Sequence, residues 1–152
     1  TNAALHIHSD GNVWLHSGDL GVMDKNGFIK YTGRLKRLIV TSGYNVYPVQ
    51  IEEVLEKHQA VMLSSVVGIP HPYKQEVPKA YIVLNKGYRE TEELVKELKE
   101  LCAKNLPRYA KVHEFEFRKS LPRTMVGKVD FRKLQEENNK LRKKEKDEEE
   151  KI

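Results

Sequence analysis

The chain has a single cysteine, Cys102, in 152 residues. This excludes an intrachain disulfide and any four-cysteine zinc site. No apolar run approaches the ~20 residues that a membrane-spanning helix needs. The first residues, Thr1-Asn2-Ala3-Ala4-Leu5-His6, lack the basic-then-apolar pattern of a secretory leader. Together these absences point to a soluble, reducing, cytoplasmic setting. There is no starting methionine, and the sequence opens inside strand-like material, so it reads as a piece of something longer. No internal repeat is visible. From Gln135 to Ile152 apolar residues nearly vanish. One leucine in that stretch cannot build a heptad seam, which excludes a coiled coil. Its charges read as an exposed helix supported by pairs such as Glu136/Lys140, or as a fraying, disordered tail.

A Gly-Lys dipeptide at 127–128 invites a phosphate-cradling loop. That motif needs a glycine five positions earlier and a Ser or Thr after the lysine. Positions 122 and 129 are Pro and Val, so it is absent. Three histidines, His6, His8 and His16, could suggest a metal. No carboxylate or cysteine at ligand spacing completes the set, so no metal site is assigned.

What is present begins with charge. The net charge is +5, and the tail's acidic and basic residues nearly cancel. The excess therefore lies on residues 1–134, which favours anionic partners. Short strands are expected at 5–8, 12–16 and 28–31, divided by the turns Ser9-Asp10-Gly11 and Asp24-Lys25-Asn26-Gly27. Leu38-Ile39-Val40 reads as a buried strand. Pro48 opens a helix carrying Ile51, Val54 and Leu55 at helical spacing. Glu52 and Glu53 would complement its dipole, with Lys57 and His58 at its far end. Val61–Ile69 and Ala80–Leu84 are β-rich runs. Thr91 caps a second helix bearing Leu94, Leu98, Leu101 and Cys102, stopped by Asn105 and Pro107. His113, Phe115 and Phe117 alternate with charge in a half-buried strand. Asp130–Leu134 is a short helix. The order predicts an α+β fold, a small mixed β-sheet with helices packed against it, preceded by short β-hairpins.

The stretch Pro122-Arg123-Thr124-Met125-Val126-Gly127-Lys128 holds one lysine at a glycine-flexed turn between a strand and a helix. Such a lysine is either an ordinary solvated charge or a compact cation presented to another surface.

Three blocks occur in fixed order. They are Ser17-Gly18-Asp19-Leu20-Gly21; Gly33-Arg34-Leu35-Lys36-Arg37-Leu38-Ile39 continuing through Ser42-Gly43-Tyr44-Asn45 and Pro48 to Ile51-Glu52-Glu53; and Leu121-Pro122-Arg123-Thr124 with Gly127-Lys128. Over residues 12–134 the chain closely resembles the C-terminal part of the adenylate-forming enzymes: acyl-CoA synthetases, peptide-synthetase adenylation domains and firefly-type luciferases. The resemblance implies an enzyme that uses ATP and Mg²⁺ to join a carboxylic acid to AMP, releasing pyrophosphate. It then passes the acyl group to a thiol such as that of CoA. A large N-terminal domain would hold ATP and acid, and the small C-terminal domain would close over it in two orientations. On this basis residues 1–35 correspond to the end of the large domain, 36–134 to the mobile subdomain and 135–152 to a charged tail. The fragment alone is expected to be inactive.

The roles implied are as follows. Lys128 resembles the adenylation lysine, in a context where lysine acylation would switch the enzyme off. Asp19 resembles the ribose-binding carboxylate, with an Asx-turn as its rival role; Ser17 stands where Thr is commoner. Arg34 resembles a second ribose contact, against a simple salt bridge. Lys36 falls at the hinge position. Ser42, Gly43 and Tyr44 resemble the loop serving the thioester step, against a plain turn. Lys74 and the Arg108/Lys111 region are candidates for CoA phosphates by position. Other readings stay open: a domain loading a carrier protein, an oxidative luciferase, a basic nucleic-acid-binding module, or an interaction domain without catalysis. No interleaving of aromatic and basic residues favours nucleic acid.

Overall fold

A computed structural model describes residues 4–149 of the chain, with side chains through residue 141. Two hairpins come first: β1 (Leu5–Ile7) with β2 (Val13–Leu15), and β3 (Asp19–Met23) with β4 (Ile29–Arg34). Their turns are built by side chains. The Asn12 amide and the Trp14 indole donate to Asp10, and the amides of Asn26 and Phe28 donate to Asp24, as Asx-type turns do.

After a 3₁₀ turn at Leu35–Arg37, a five-stranded mixed sheet follows. β5 (Ile39–Thr41) pairs with β6 (Tyr44–Val46). Helix α1 (Pro48–Leu55) leads to the long antiparallel pair β7 (Val61–His71) and β8 (Gln75–Leu84). Helix α2 (Glu92–Asn105) leads to β9 (Glu114–Phe117), which runs parallel to β8. The long helix α3 (Phe131–Glu149) follows.

Both faces of the sheet are covered. Val66, Ala80 and Ile82 join Ile51, Leu55 and Leu98 beneath α1 and α2. Val67, Ile69, Tyr81 and Val83 join Leu134 beneath α3, with Phe131 against them. This is why β7 and β8 read as continuous apolar runs, since a strand covered on both sides has no solvent face to keep polar. The Glu-Phe-Glu-Phe sequence of β9 divides the same way. Phe115 and Phe117 meet the α1/α2 core, while Glu114 and Glu116 face Lys79. Thr91 caps α2 by accepting from the Leu94 amide at 3.1 Å.

Some local expectations are corrected. β7 runs through Pro70, and β8 begins before Pro78; Gly68 pairs with Pro78 and Pro70 with Glu76. Strand pairing over ten positions overrides two residues that lack an N–H. The Tyr44–Val46 strand was not expected. α3 does not stop near Leu134. Asn138 is buried beside Lys79, and Glu137 accepts from Arg118 at 2.7 Å, so the charged stretch does have a docked face. Residues 150–152 of the tail lie outside the described residues. Glu52 is the fifth residue of α1, beyond its first turn, and it pairs with Arg37 rather than with the helix end. α1 ends at Leu55, before Lys57, and His58 reaches Glu97 instead.

Candidate active site: an outward lysine, a bracketed junction and a basic cavity

Lys128 is exposed, and no ion pair engages it among the described residues. The turn that carries it is braced from within. The Thr124 amide donates to the Lys128 carbonyl at 2.7 Å, and the Gly127 amide donates to Thr124 at 2.9 Å. The Asp130 amide donates to Pro122 at 2.8 Å, and the Arg123 guanidinium donates to the Gly127 carbonyl at 2.7 Å. Gly127 has φ of +80°, the left-handed region that other residues enter at a cost of roughly 1–2 kcal/mol. Neighbouring Met125 and Val126 are fully and largely exposed. The braced turn therefore exposes an apolar tip together with the Lys128 side chain.

Asp19 and Arg34 face each other across the β3–β4 pair. Arg34 Nε donates to Asp19 Oδ1 at 3.0 Å. Asp19 lies in a strand and forms no Asx-turn; its own amide donates to Ser17 Oγ. Both side chains are substantially exposed, 61% and 42%. Such a pair is worth about 0–1 kcal/mol, so a ligand hydroxyl can share the carboxylate at little cost.

Lys36 sits in the 3₁₀ turn with its side chain exposed. The residues on either side are held by different contacts. Arg34 is tied to β3, and the Leu35 amide donates to Gly18 at 2.8 Å. Arg37 is fixed to the sheet module: it forks onto Glu52, donates to the Val66 carbonyl at 3.3 Å, and lies 5.0 Å from the Phe131 ring centre. Glu52 also accepts from the Val66 amide at 2.8 Å. Lys36 is therefore the junction between two anchored segments. Sequence reasoning missed the Arg37–Glu52 clamp, although both residues stand in the quoted block, because the two are brought together only by α1 packing against β7.

Ser42 and Gly43 form a two-residue hairpin turn with φ of +49° and +82°, the backbone of a type I′ turn. The Ser42 amide donates to the Lys74 carbonyl at 3.0 Å. Tyr44 stacks on Tyr109, ring centres 4.7 Å apart and 6° from parallel. Ser42, Tyr44, Lys74, Arg108 and Lys111 all line one cavity of about 180 Å³. Residues separated by more than sixty positions thus share one basic recess. The hydroxyl of Thr41, in its wall, is buried without a hydrogen-bond partner. His113 also lines it. Burial, then the charges of His71, Lys74 and Lys111, hold its imidazole below the ordinary value. Tyr109 and Thr41 carried no local signal in the sequence, and His113, expected within a half-buried strand, instead lies just before β9.

The three early histidines cluster on the first hairpin. His8 and His16 share a 2.8 Å contact between ring nitrogens, and the His6 and His16 rings lie 4.3 Å apart. Among the described residues no group of three potential ligands is placed to hold a metal ion. No described helix is long and apolar enough to cross a membrane.

Fold and site together define a small α+β module that presents a lysine turn, a bracketed junction and a recess lined by basic residues. The model of the AMP-binding enzyme C-terminal domain family matches residues 50–128, and the chain belongs to that family. It is 42% identical over 124 residues to a long-chain-fatty-acid–CoA ligase of Bacillus subtilis, covering 82% of this chain and 22% of that protein. It is 38% identical over 137 residues to human mitochondrial acyl-coenzyme A synthetase ACSM3, covering 89% and 22%. Among solved structures, ATP-bound MatB from Rhodopseudomonas palustris superposes with a TM-score of 0.75 at 31% identity, covering 90% of this chain and 26% of that one. The o-succinylbenzoate CoA synthetase of Bacillus subtilis, in complex with its acyl-adenylate, gives 0.71 at 34%, covering 81% and 24%. The chain spans about a quarter of the length of these relatives.

Proposed function

We propose that this chain is the mobile closing module of an acid–thiol ligase. The parent would activate a carboxylic acid with ATP to acyl-AMP and pyrophosphate, then transfer the acyl group to CoA. The observation that carries this reading is Lys128, exposed and unpaired on an internally braced turn. In the adenylation step a carboxylate oxygen attacks the α-phosphorus and the bond to pyrophosphate breaks. Negative charge on the phosphoryl oxygens is spread and must be met by positioned donors. An ammonium delivered at closure assists that transition state more than the separated reactants. Acylation of Lys128 would remove the charge and with it this contribution.

Asp19 would accept hydrogen bonds from ribose hydroxyls, with Arg34 orienting the carboxylate. Lys36 would absorb the rotation between closures, dividing residues 1–35 from 36–134; its bracketing by the Arg34 and Arg37 anchors supports this. Ser42, Gly43 and Tyr44 would line the thiol's path. The recess holding Lys74, Arg108 and Lys111 would take CoA phosphates, anions that cations and buried hydroxyls recognise. On this reading the parent's N-terminal domain would hold Mg²⁺ and most of the ATP contacts, and the chain alone would be inactive. A cytoplasmic setting belongs to the same reading.

The test is Lys128→Ala in the full-length parent. Carboxylate-dependent ATP–pyrophosphate exchange should fall by about 100-fold or more, the scale for losing one transition-state donor. Thioester formation from supplied acyl-AMP should change little. Equal loss in both half-reactions would refute the assignment.

A further inference from the structure

A second and larger cavity lies between α2, the 3₁₀ turn at Arg108–Ala110 and β9. Its volume is about 500 Å³, within the ~300–1,000 Å³ range of small-molecule sites. Cys102, Val112 and Phe115 form its apolar lining, with Ala103 also at its wall. Cys102 and Val112 are 4% and 3% exposed. Burial pushes the Cys102 thiol up to about 11, so near neutral pH it is an uncharged, apolar wall.

Lys99, Arg108 and Lys111 line the same cavity and are exposed. Among the described residues none of the three is in an ion pair. Cations gathered beside an apolar opening favour an anion that joins them, and an apolar lining favours a chain that displaces its water. One ligand class satisfies both at once.

We propose that this cavity binds an amphipathic alkyl monocarboxylate, its chain against Cys102, Val112 and Phe115 and its headgroup among Lys99, Arg108 and Lys111. A flexible alkyl chain suits a lining to which Ala103, Leu106, Pro107 and Val112 contribute aliphatic surface. Arg108 and Lys111 also line the recess beside Ser42 and Lys74. A bound carboxylate therefore draws on two of the cations proposed for CoA phosphates, and occupancy of one site weakens the other. That coupling rests on the CoA reading; the binding itself does not.

The experiment titrates the 152-residue chain with decanoate below its micellar range and follows backbone amide shifts. Saturable shifts confined to residues 99–115 are expected. Decan-1-ol should bind at least tenfold more weakly. Lys99→Gln should weaken decanoate roughly fivefold, the effect of removing one charge near a wet surface. Ala103→Phe, at an exposed position on the wall, should abolish the shifts while amides elsewhere keep their dispersion. Equal binding of decanol and decanoate would overturn the proposal. So would full binding to the Ala103→Phe variant, shifts spread over the exposed hairpin residues Ile7, Trp14 and Phe28, or identical shifts from inorganic phosphate alone. CoA failing to compete with decanoate would remove only the coupling and leave the site standing.

Discussion

Replacing Glu114 and Glu116 together by glutamine should destabilise the chain more than replacing Lys79 by methionine, although both changes dismantle one cluster. The Lys79 side chain is 5% exposed, with its ammonium 2.5 Å from Glu114 and 2.8 Å from Glu116. Asn138 and the Tyr81 ring complete its surroundings. The carboxylates are much wetter, at 48% and 32% exposed, and Glu116 also holds Arg118 at 2.6 Å. Removing both glutamates strands a buried cation, which typically costs about 3–5 kcal/mol. Removing the lysine leaves two carboxylates that solvent and Arg118 can serve, and methionine fills the space of the alkyl stem. That loss should be about 1–2 kcal/mol. With a urea slope near ~2 kcal/mol/M, the two midpoints should differ by about 1 M. Urea unfolding followed by far-ultraviolet circular dichroism measures this. If Lys79→Met lowers the midpoint as much as the double change or more, the account of this cluster is wrong.

The pH dependence follows from the same groups. Burial pushes the Glu116 carboxyl up, but hydrogen bonds and charge from Lys79 and Arg118 outweigh it and leave the value below the ordinary one. Its contribution is present above the unfolded value of about 4.3 and fades as pH falls through the lower folded value. Burial pulls Lys79 down, but Glu114 and Glu116 raise it overall. Its contribution is present below about 10.4 and is lost only as pH rises through the higher folded value. The advantage of the unaltered chain over the double glutamine variant should therefore shrink in acid and persist through neutral pH.

Lys36→Pro in the parent should slow one half-reaction and spare the other, because it stiffens the junction between two anchored segments; unchanged rates in both would remove the hinge role. Thr91→Ala should cost about 1 kcal/mol in the same urea assay, as the Leu94 amide loses its acceptor, and no change would mean that the cap is idle. Cys102, with its thiol near 11, should react with an alkylating reagent about a hundredfold more slowly at pH 8 in the folded chain than in urea. Equal rates would show that the thiol is open to solvent.

Elements carried by local chemistry were legible in the sequence. The Asx-type turns at Asp10 and Asp24, the Thr91 cap, the apolar spacing of α1 and α2 and the alternation of β9 all follow from neighbours within a few residues. The turn holding Lys128 was readable for the same reason, since proline and glycine restrict the backbone where they stand. Its exposure was not readable. A lysine beside Met125 and Val126 could equally have been folded against the module.

By itself the sequence determined α1 and α2, the turns, most of the strands and the order of three recognisable blocks, because these depend on contacts that the chain makes with itself at short range. Only the tertiary structure decided that Pro70 and Pro78 sit inside paired strands and that Glu52 clamps Arg37. It also decided that α3 continues past Leu134, that Lys79 is buried among carboxylates, and that Ser42, Lys74, Arg108 and Lys111 share one recess. Each of these joins residues distant in the chain. The physical reason is common to all of them: burial, charge pairing and cavity shape belong to surfaces brought together by packing, and no local stretch of residues encodes its partner.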